Sequence, residues 1–349
     1  MMQGSRGRAL VTGATGLVGS HIVERLRNAG WSIRALTRVP DTARWLGNDV
    51  ELIAGDVLDS PSFISAAKSC DIVFHTAATV TGAGGWESYR SLNLDGTRNA
   101  IAAARSSGAR LMHVSSVAVY GPGMRYQSGR FTAESASFES LSEDLYYARS
   151  KRDSEQAVLD AHAAGDIWAT AIRPDIIYGR RDRQFVPRVA RVLRHGIVPL
   201  FGGGRSTLPI IHAKSVSEAA WLAATTDVAG GNAYNIANER PVTVREFVTL
   251  AAEGLGHRVV GFPFPVPLAN VFLRLAMPII GLLRGRGLRA MSGNTINLLT
   301  RDNPFTSERA RQELGWTPAI DPAEGLPDAF RWWKDQEMQK RRDYSRPQV

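Results

Sequence analysis

The sequence predicts an α/β fold: a doubly wound parallel sheet with a smaller, mostly helical C-terminal lobe. A short apolar run at residues 9–11, three glycines and an amphipathic segment are typical of a strand that turns directly into a helix. A length of 349 residues is sufficient for two lobes. Five more strands are predicted by apolar runs at residues 31–37, 50–53, 71–75, 110–114 and 168–172.

The first turn contains Gly13, Gly16 and Gly19 with the spacing G-x-x-G-x-x-G, and we call residues 13–19 the glycine-rich loop. Glycines let the backbone approach a ligand closely, and the unpaired N–H groups at the start of the next helix favour an anion such as pyrophosphate. We predict a dinucleotide-binding loop here; a glycine-rich turn without a ligand is the alternative. The further contacts predicted in this loop are those of Thr15, Leu17 and Val18.

The composition is that of an ordinary globular protein, with 44% hydrophobic and 21% charged residues. The lone Cys70 excludes an intrachain disulfide, and no Cys/His cluster predicts a metal site. The N-terminal residues lack the apolar region of a signal peptide, so we expect a cytoplasmic protein. The net charge of +9 is compatible with an anionic cofactor, an anionic membrane surface or a solvated basic face. Without an accompanying motif it does not predict nucleic-acid binding.

The end of the second strand bears on cofactor choice. In dinucleotide folds an acidic residue at this place binds the adenosine ribose hydroxyls, but here Thr37 is followed by Arg38. A guanidinium cannot accept a hydrogen bond from a ribose hydroxyl, whereas it pairs well with a 2′-phosphate. We therefore favour NADP over NAD. Arg34 and Arg44 are either additional phosphate ligands or surface charges.

The fourth predicted strand ends in His75 and then in the small residues Thr76, Ala77 and Ala78. Small side chains at the carboxyl end of a parallel strand allow close approach of a cofactor. We interpret His75 as a strand-end residue near the ribose rather than as a base. The sequence offers it neither a metal partner nor a triad acid.

Tyr147 and Lys151 lie four residues apart on a predicted helix, so the phenol and the ammonium share one face. A free phenol, with a pKa of about 10, is a poor base at neutral pH. A cation about 4 Å away, at an effective dielectric constant of about 20, interacts with it by about 4 kcal/mol, or about three pKa units. This pair therefore predicts a usable general acid/base.

Five segments in this order resemble one known family, the extended short-chain dehydrogenase/reductases with a Rossmann-type domain. The resemblance covers nearly the whole chain. The segments are TGATGLVG (12–19), SSVAVYG (115–121), YARSK (147–151), RPDIIYG (173–179) and the stretch from Phe305 to Pro318.

The resemblance implies roles for further residues. Ser116 would donate a hydrogen bond to the substrate oxygen, with Ser115 as its substitute, and Asn93, on a predicted helix, would support Lys151. Lys151 would also bind the ribose of the nicotinamide half. Contacts with the adenine edge are implied for Asp56 and Val57, although Asp56 is alternatively a helix cap. Contacts near the nicotinamide are implied for Pro174, Ile176 and Ile177, in a turn that begins at Arg173. We place a flexible loop at residues 82–86, which contains Gly84 and Trp86, and also Tyr178 on the substrate side.

We predict a dinucleotide-binding domain at residues 1–177, with 208–237 packing back onto it. Residues 178–207 and 238–349 form the predicted substrate lobe. The apolar stretch 262–283 contains four prolines and Arg274, so we interpret it as lobe packing or as an interfacial membrane helix rather than a transmembrane span. Arg284, Arg286 and Arg289 follow, as expected of a patch that meets anionic headgroups, so peripheral membrane contact through 262–289 is predicted.

Similar apolar C-terminal regions occur in the 3β-hydroxysteroid dehydrogenase-like branch, and Arg38 resembles the NADP-selecting arginine of dihydroflavonol reductase-like members. Both resemblances imply an NAD(P)-dependent oxidoreductase acting on a bulky apolar ketone or secondary alcohol. Two alternatives are a nucleotide-sugar epimerase that retains its cofactor and a non-catalytic cofactor sensor or scaffold. Because many related epimerases have acids where this chain has Lys214 and Ser215, and non-catalytic members usually lack the Tyr/Lys pair, both are disfavoured. Family members are often dimers, so a homodimer is also implied.

Overall fold

A computed structural model describes residues 6–81, 84–122, 132–237, 240–268 and 293–345. The strands are β1 (Arg8–Thr12), β2 (Ser32–Thr37), β3 (Val50–Ala54), β4 (Ile72–His75), β5 (Arg110–Val114), β6 (Ala169–Pro174), β7 (Ile176–Tyr178), β8 (Ile197–Phe201), β9 (Ile210–His212), β10 (Ala233–Ile236) and β11 (Val260–Phe264). Seven of them form one parallel sheet in the order β10-β6-β5-β4-β1-β2-β3. The predicted doubly wound parallel sheet is therefore confirmed.

Helices cover both faces of this sheet. Together with those of the C-terminal half, the α-helices of the described residues are α1 (Leu17–Asn28), α2 (Ser60–Ala67), α3 (Gly85–Tyr89), α4 (Gly96–Ser107), α5 (Tyr146–Ala163), α6 (Phe185–Leu193), α7 (Ala213–Thr225), α8 (Val244–Leu255), α9 (Gly293–Thr300), α10 (Glu308–Leu314) and α11 (Pro322–Ser345). On one face, Ile22 and Leu26 of α1 pack with Val216 and Ala220 of α7. On the other, α2, α4 and α5 enclose a second apolar cluster. Burial on both faces explains why these strands are continuous apolar runs.

The strand order reverses between β1 and β4, which are neighbours in the sheet. The connections that follow β1 and β4 run towards opposite edges of the sheet, so a crevice opens at the carboxyl ends of these two strands. The glycine-rich loop follows β1, and Thr76 follows β4. The fold thus brings both predicted cofactor segments to the place where open α/β sheets bind ligands.

The C-terminal half has its own apolar core. Phe247 of α8, Phe330 of α11 and Val186 of α6 belong to this cluster, and β8 pairs with β11 beside it. Strand β10 returns to the main sheet and pairs with β6. The division into a dinucleotide-binding domain and a substrate lobe stays a prediction.

Within the described residues, no helix is long and apolar enough to span a bilayer. Most of the predicted membrane-contact region 262–289 lies outside these residues, which resume at 293. The same is true of Arg284, Arg286 and Arg289, and of Gly82 and Ala83 in the loop predicted before Trp86.

Three local predictions need correction. The loop expected around Trp86 becomes helix α3 at Gly85, which lets the indole pack against aromatic rings and Arg149. Asn93 lies on a π-helical turn, residues 90–95, rather than on a regular helix, and α4 follows it directly. Arg173 and Pro174, expected in a turn, are the last residues of β6, where Pro174 pairs with Ile236 of β10.

Candidate active site

The glycine-rich loop leaves the start of α1 open to an anion. Gly13 adopts φ +64°, and its carbonyl accepts a hydrogen bond from the Gly16 N–H at 2.9 Å. Gly16 precedes α1 without a side-chain cap, and the first turn of the helix contains no acidic residue. Its backbone N–H groups and the helix dipole therefore favour a phosphate ligand. A Cβ on Gly19 would lie 2.2 Å from the Gly13 carbonyl oxygen, so only glycine permits this close packing.

The ends of β1 and β4 are tied together by Thr12. Its backbone carbonyl accepts a hydrogen bond from the Thr76 hydroxyl at 2.7 Å, and its own hydroxyl lies 2.9 Å from Nδ1 of His75. A Cβ on Gly13 would lie 2.8 Å from the Thr76 hydroxyl oxygen. The glycine-rich loop and the segment after β4 therefore pack closely on each other through small groups, at the point where open α/β sheets bind ligands.

His75 is enclosed by the sheet, where it stacks on His113 with ring centroids 5.7 Å apart. Burial, together with the charge of the nearby Lys151, lowers the pKa of His75 to about 3. The imidazole is therefore neutral at physiological pH. The role of His75 as a strand-end residue near the ribose stays a prediction.

Lys151 is buried within α5, with 4% of its surface exposed. Its ammonium donates a hydrogen bond to the carbonyl of Val114, at the end of β5, at 2.6 Å. Burial lowers the pKa of Lys151 to about 8, while the nearby Glu155 carboxylate opposes this shift. The side chain is therefore predominantly charged at neutral pH. Tyr147 lies one turn earlier and is partly exposed.

Asn93 reaches α5 through Ser150. Its amide nitrogen donates to the Ser150 hydroxyl at 2.9 Å, and that hydroxyl donates to the Tyr147 carbonyl at 2.9 Å. The Asn93 side-chain oxygen accepts from the backbone N–H of Thr79 at 2.7 Å. Asn93 thus holds the turn of helix between Tyr147 and Lys151. Ser150 was missed by sequence reasoning, because a serine inside Y-x-x-x-K carries no signal of its own.

The two candidate serines differ in their freedom to contact a ligand. The Ser115 side chain is buried, and in the described part of the chain its hydroxyl has no hydrogen-bond partner. The partly exposed Ser116 caps the short 3₁₀ turn Val117–Tyr120, where its hydroxyl oxygen accepts from the Ala118 N–H at 3.2 Å. Because the oxygen accepts, the O–H proton of Ser116 is free to be donated. The geometry favours Ser116 as the donor to a substrate oxygen.

A buried ion pair fixes α5 against the sheet. Arg173 of β6 donates to Glu155 of α5 at 2.6 Å, and the two side chains are 6% and 2% exposed. Arg173 also donates to the Tyr120 hydroxyl at 2.7 Å, which in turn donates to Asn235 of β10 at 2.8 Å. Glu155 of this ion pair lies one helical turn beyond Lys151 on α5. Sequence reasoning singled out the Arg-Pro segment without finding this pair, because Arg173 and Glu155 are distant in sequence.

The arginines near the second strand have separate environments. Arg38 is exposed, and the described residues offer it neither an ion pair nor a hydrogen bond. Arg34 pairs with Glu51 at 3.0 Å and donates to the Ala66 carbonyl, while Arg44 pairs with Asp41 within its own short turn. The part of Arg34 and Arg44 in binding a cofactor phosphate stays a prediction, which their pairing with carboxylates makes weaker for the half-buried Arg34 than for the exposed Arg44.

Asp56 and Val57 follow β3. The Asp56 carboxylate accepts from the backbone N–H of Leu58 at 3.0 Å, and the Val57 carbonyl accepts from Asn99 at 2.8 Å. These bonds order the segment beside the crevice without closing it. Asp56 caps its own turn rather than helix α2, since the N-cap residue of α2 is Asp59.

The residues predicted near the nicotinamide and the substrate are more dispersed. Pro174 is buried, whereas Ile176 and Ile177 are half-buried in β7, and Gly84 is exposed. The partly exposed Trp86 ring lies 4.1 Å from the Arg149 guanidinium carbon. Tyr178 is 1% exposed and packs edge-on against His212, with ring centroids 5.2 Å apart. Its side chain therefore lies in the packing between strands β7 and β9 and helix α11 rather than at an open surface.

The comparisons with known proteins identify the class. Residues 9–237 match the family model described as NAD dependent epimerase/dehydratase family, and the chain belongs to this family. Its Rossmann-type sheet is shared with solved members. MoeE5, solved in complex with UDP-glucose and NAD, superimposes with a TM-score of 0.70 and 26% identity, covering 95% of this chain and 100% of MoeE5.

The relatives in sequence are named as reductases and as a dehydrogenase. A 2-alkyl-3-oxoalkanoate reductase of Stenotrophomonas maltophilia is 30% identical, covering 91% of this chain and 97% of the relative. A 4-hydroxy-2-methyl-3-oxo-4-farnesyl-3,4-dihydroquinoline-1-oxide ketoreductase of Stigmatella aurantiaca is 29% identical, with coverages of 93% and 96%. A 3 beta-hydroxysteroid dehydrogenase/Delta 5→4-isomerase of Mycobacterium tuberculosis is 26% identical, with coverages of 94% and 90%. The chain is an NAD(P)-dependent oxidoreductase of the dehydrogenase and ketoreductase kind.

Proposed function

We propose that this protein interconverts a bulky, apolar ketone and the corresponding secondary alcohol, with Tyr147 as general acid/base and NADP as the preferred dinucleotide. The observation that carries the proposal is the buried ammonium of Lys151, one helical turn from Tyr147 and anchored at the end of β5. A buried charge is costly, so a buried lysine without an ion pair among the described residues is a candidate for a functional group. We propose that it acts on the phenol of Tyr147, one helical turn away.

The residues divide the work of a carbonyl reduction. Tyr147 donates a proton to the carbonyl oxygen, and in the reverse direction it takes the proton from the alcohol. Ser116 donates a hydrogen bond to the same oxygen and stabilises negative charge that develops on it. Lys151 lowers the pKa of the phenol by its charge. When bound, the dinucleotide supplies or accepts the hydride.

The phosphate end of the site also fits the dinucleotide. The glycine-rich loop leaves uncapped N–H groups for the diphosphate. We propose that Arg38 contacts the 2′-phosphate of NADP, because it is exposed at the end of β2 and its charge is not neutralised by a neighbour among the described residues. The Arg38→Gln variant should therefore lose affinity for NADPH while retaining affinity for NADH. Equal affinities of variant and wild type for NADPH, measured by fluorescence titration, would contradict the preference.

The substrate class is supported by two observations. The relatives named above include reductases of an alkyl-oxoalkanoate and of a farnesylated quinoline oxide, both with long apolar groups. In this chain, Phe262 and Leu268 are 41% and 51% exposed at the start of the apolar stretch 262–283. Exposed large apolar side chains in a group favour contact with an apolar ligand or surface.

The direct test is the Tyr147→Phe variant, which removes only the phenolic oxygen. We expect turnover of a ketone panel with NADPH to fall by about 10²- to 10⁴-fold, with unchanged NADPH affinity. Tyr146→Phe is the matched control, since Tyr146 precedes Tyr147 on α5 and its ring packs against Trp86 and Tyr89. Comparable turnover by the Tyr147→Phe variant and the wild type would refute the proposed chemistry.

We also propose peripheral membrane contact through 262–289, supported by the exposed apolar side chains at its start and by the arginines within it. Vesicles containing anionic lipid should retain the wild type in flotation more strongly than a variant lacking Arg284, Arg286 and Arg289. Equal retention would discard this contact. A homodimer stays a prediction, which the solution mass of the purified protein tests.

A further inference from the structure

The segment after β7 contains three arginines, and their partners differ. Arg180 pairs with Asp328 of α11, and Arg181 pairs with Glu24 of α1 at 2.6 Å. The exposed Arg183 instead donates from Nη2 to the backbone carbonyl of Thr15, in the glycine-rich loop, at 3.4 Å. Among the described residues, Arg183 is the member of this trio without a carboxylate partner.

The backbone around Arg183 is held in place from both sides. On one side, Arg181 adopts φ +72°, a conformation that costs energy for a residue with a side chain, and its ion pair with Glu24 fixes it against α1. On the other, the buried Asp182 carboxylate accepts three backbone N–H groups, those of Gln184, Phe185 and Val186, at the start of α6. The position of Arg183 over the glycine-rich loop is therefore set by the surrounding structure.

Among the described residues no carboxylate forms an ion pair with Arg183, because the neighbouring Asp182 accepts three backbone N–H groups instead. The first turn of α1 contains no acidic residue, and the positive end of its dipole lies at the glycine-rich loop. The Arg183 guanidinium, which donates to the Thr15 carbonyl, places a second positive group beside the N-terminus of α1. Two adjacent positive groups repel until an anion binds between them, and then both stabilise that anion.

We propose that Arg183 binds the diphosphate of the dinucleotide, from the side opposite to the N–H groups of α1. This inference rests on the proposed function only in that it takes the dinucleotide as the ligand of the glycine-rich loop. It assigns to a segment of the predicted substrate lobe a contact with the cofactor, and it separates the role of Arg183 from that of Arg38. Arg183 recognises a group common to NADH and NADPH, whereas Arg38 recognises the 2′-phosphate.

The test compares Kd values of NADPH and NADH for the wild type and for Arg183→Gln, Arg38→Gln and Arg180→Gln, all measured by fluorescence titration without a ketone. We expect Arg183→Gln to weaken both dinucleotides by the same factor, about 10- to 100-fold, as for loss of a charge-assisted hydrogen bond. Arg38→Gln should weaken NADPH alone. Arg180→Gln, which removes the same charge from the same segment, should change neither Kd.

Other outcomes have definite meanings. If Arg183→Gln binds both dinucleotides as tightly as the wild type, the inference is overturned, and a raised KM for the ketone in that variant would assign Arg183 to the substrate instead. If only NADPH binding is weakened, the contact with the diphosphate is likewise wrong. If both Kd values rise as expected but the wild type reduces no ketone, the proposed reaction fails while the role of Arg183 stands. Unchanged urea midpoints establish that the variants are folded.

Discussion

Replacing Lys151 with methionine should make the protein more stable and catalytically inactive. The folded state holds the Lys151 ammonium in a buried place, where its pKa falls from 10.5 to about 8. At about 1.4 kcal/mol per pKa unit, this shift means that burying the charge costs about 3 kcal/mol at pH 7. Methionine is similar in length, is apolar and carries no such cost.

The variant also loses the hydrogen bond from the Lys151 ammonium to the Val114 carbonyl. Such a bond contributes about 1 kcal/mol, so the net gain expected for Lys151→Met at pH 7 is about 2 kcal/mol in the free energy of unfolding. The gain depends on pH. Below pH 8 both folded and unfolded chains hold the proton, and the full cost is present. Between pH 8 and 10.5 the folded state has released a proton that the unfolded state retains, so wild-type stability rises with pH and the advantage of the variant disappears.

The assay is urea unfolding followed by tryptophan fluorescence at pH 7 and at pH 10, without dinucleotide, since a bound ligand would stabilise the folded state. Other titrating groups cancel in the difference between the variant and the wild type. A variant less stable than the wild type at pH 7, or a difference that is the same at both pH values, would refute the claim that Lys151 is charged and buried. Turnover of the variant, with its circular dichroism unchanged, measures the loss of function separately.

Three further predictions concern the fold around the site. Arg173→Met, which leaves the buried Glu155 carboxylate without its partner, should lower the free energy of unfolding by about 3–5 kcal/mol, and adding Glu155→Leu should restore part of it, as urea titration will show. Gly19→Ala should abolish dinucleotide binding in a titration, because its Cβ would lie 2.2 Å from a carbonyl oxygen of the glycine-rich loop. The control Gly30→Ala, with φ +74° and open space around it, should cost only about 1 kcal/mol. His75→Gln should remove an acid-sensitive contribution of about 3 kcal/mol between pH 6.5 and 4, since the unfolded imidazole binds a proton there and the folded one, with a pKa of about 3, does not; an unaltered pH dependence of stability would contradict this.

Much of the fold was accessible to sequence reasoning because it depends on local patterns. The predicted runs 50–53 and 110–114 became β3 and β5 with boundaries within one residue. Apolar runs of this kind are typical of strands that are buried on both faces. Such strands occur in a parallel sheet that is covered by helices on each side. The face shared by Tyr147 and Lys151 likewise follows from helical periodicity, once residues 146–163 form a helix.

Sequence reasoning was incomplete where a side chain contacts a residue that is distant in the chain. Arg34 and Arg38 are alike in sequence, yet Arg34 lies beside Glu51 of the neighbouring strand, whereas Arg38 is exposed beyond the strand end. The burial of Lys151 was equally invisible, because the Val114 carbonyl that binds it comes from a strand 37 residues earlier. Arg183 and Thr15 are separated by 168 residues. Sequence reasoning identified the chemical groups of these side chains, but it did not identify the residues that contact them.

The amino-acid sequence by itself determined the order of strands and helices, the glycine-rich turn and the spacing of the tyrosine and lysine that the proposed chemistry needs. These features follow from backbone sterics and from the periodicity of apolar side chains, which act between near neighbours in the chain. Only the tertiary structure decided which arginine is paired with a carboxylate and which is exposed without one among the described residues, and how deeply the lysine is buried. Charge and desolvation act through space, so their effects depend on the packing of strands and helices that the sequence brings together from distant positions.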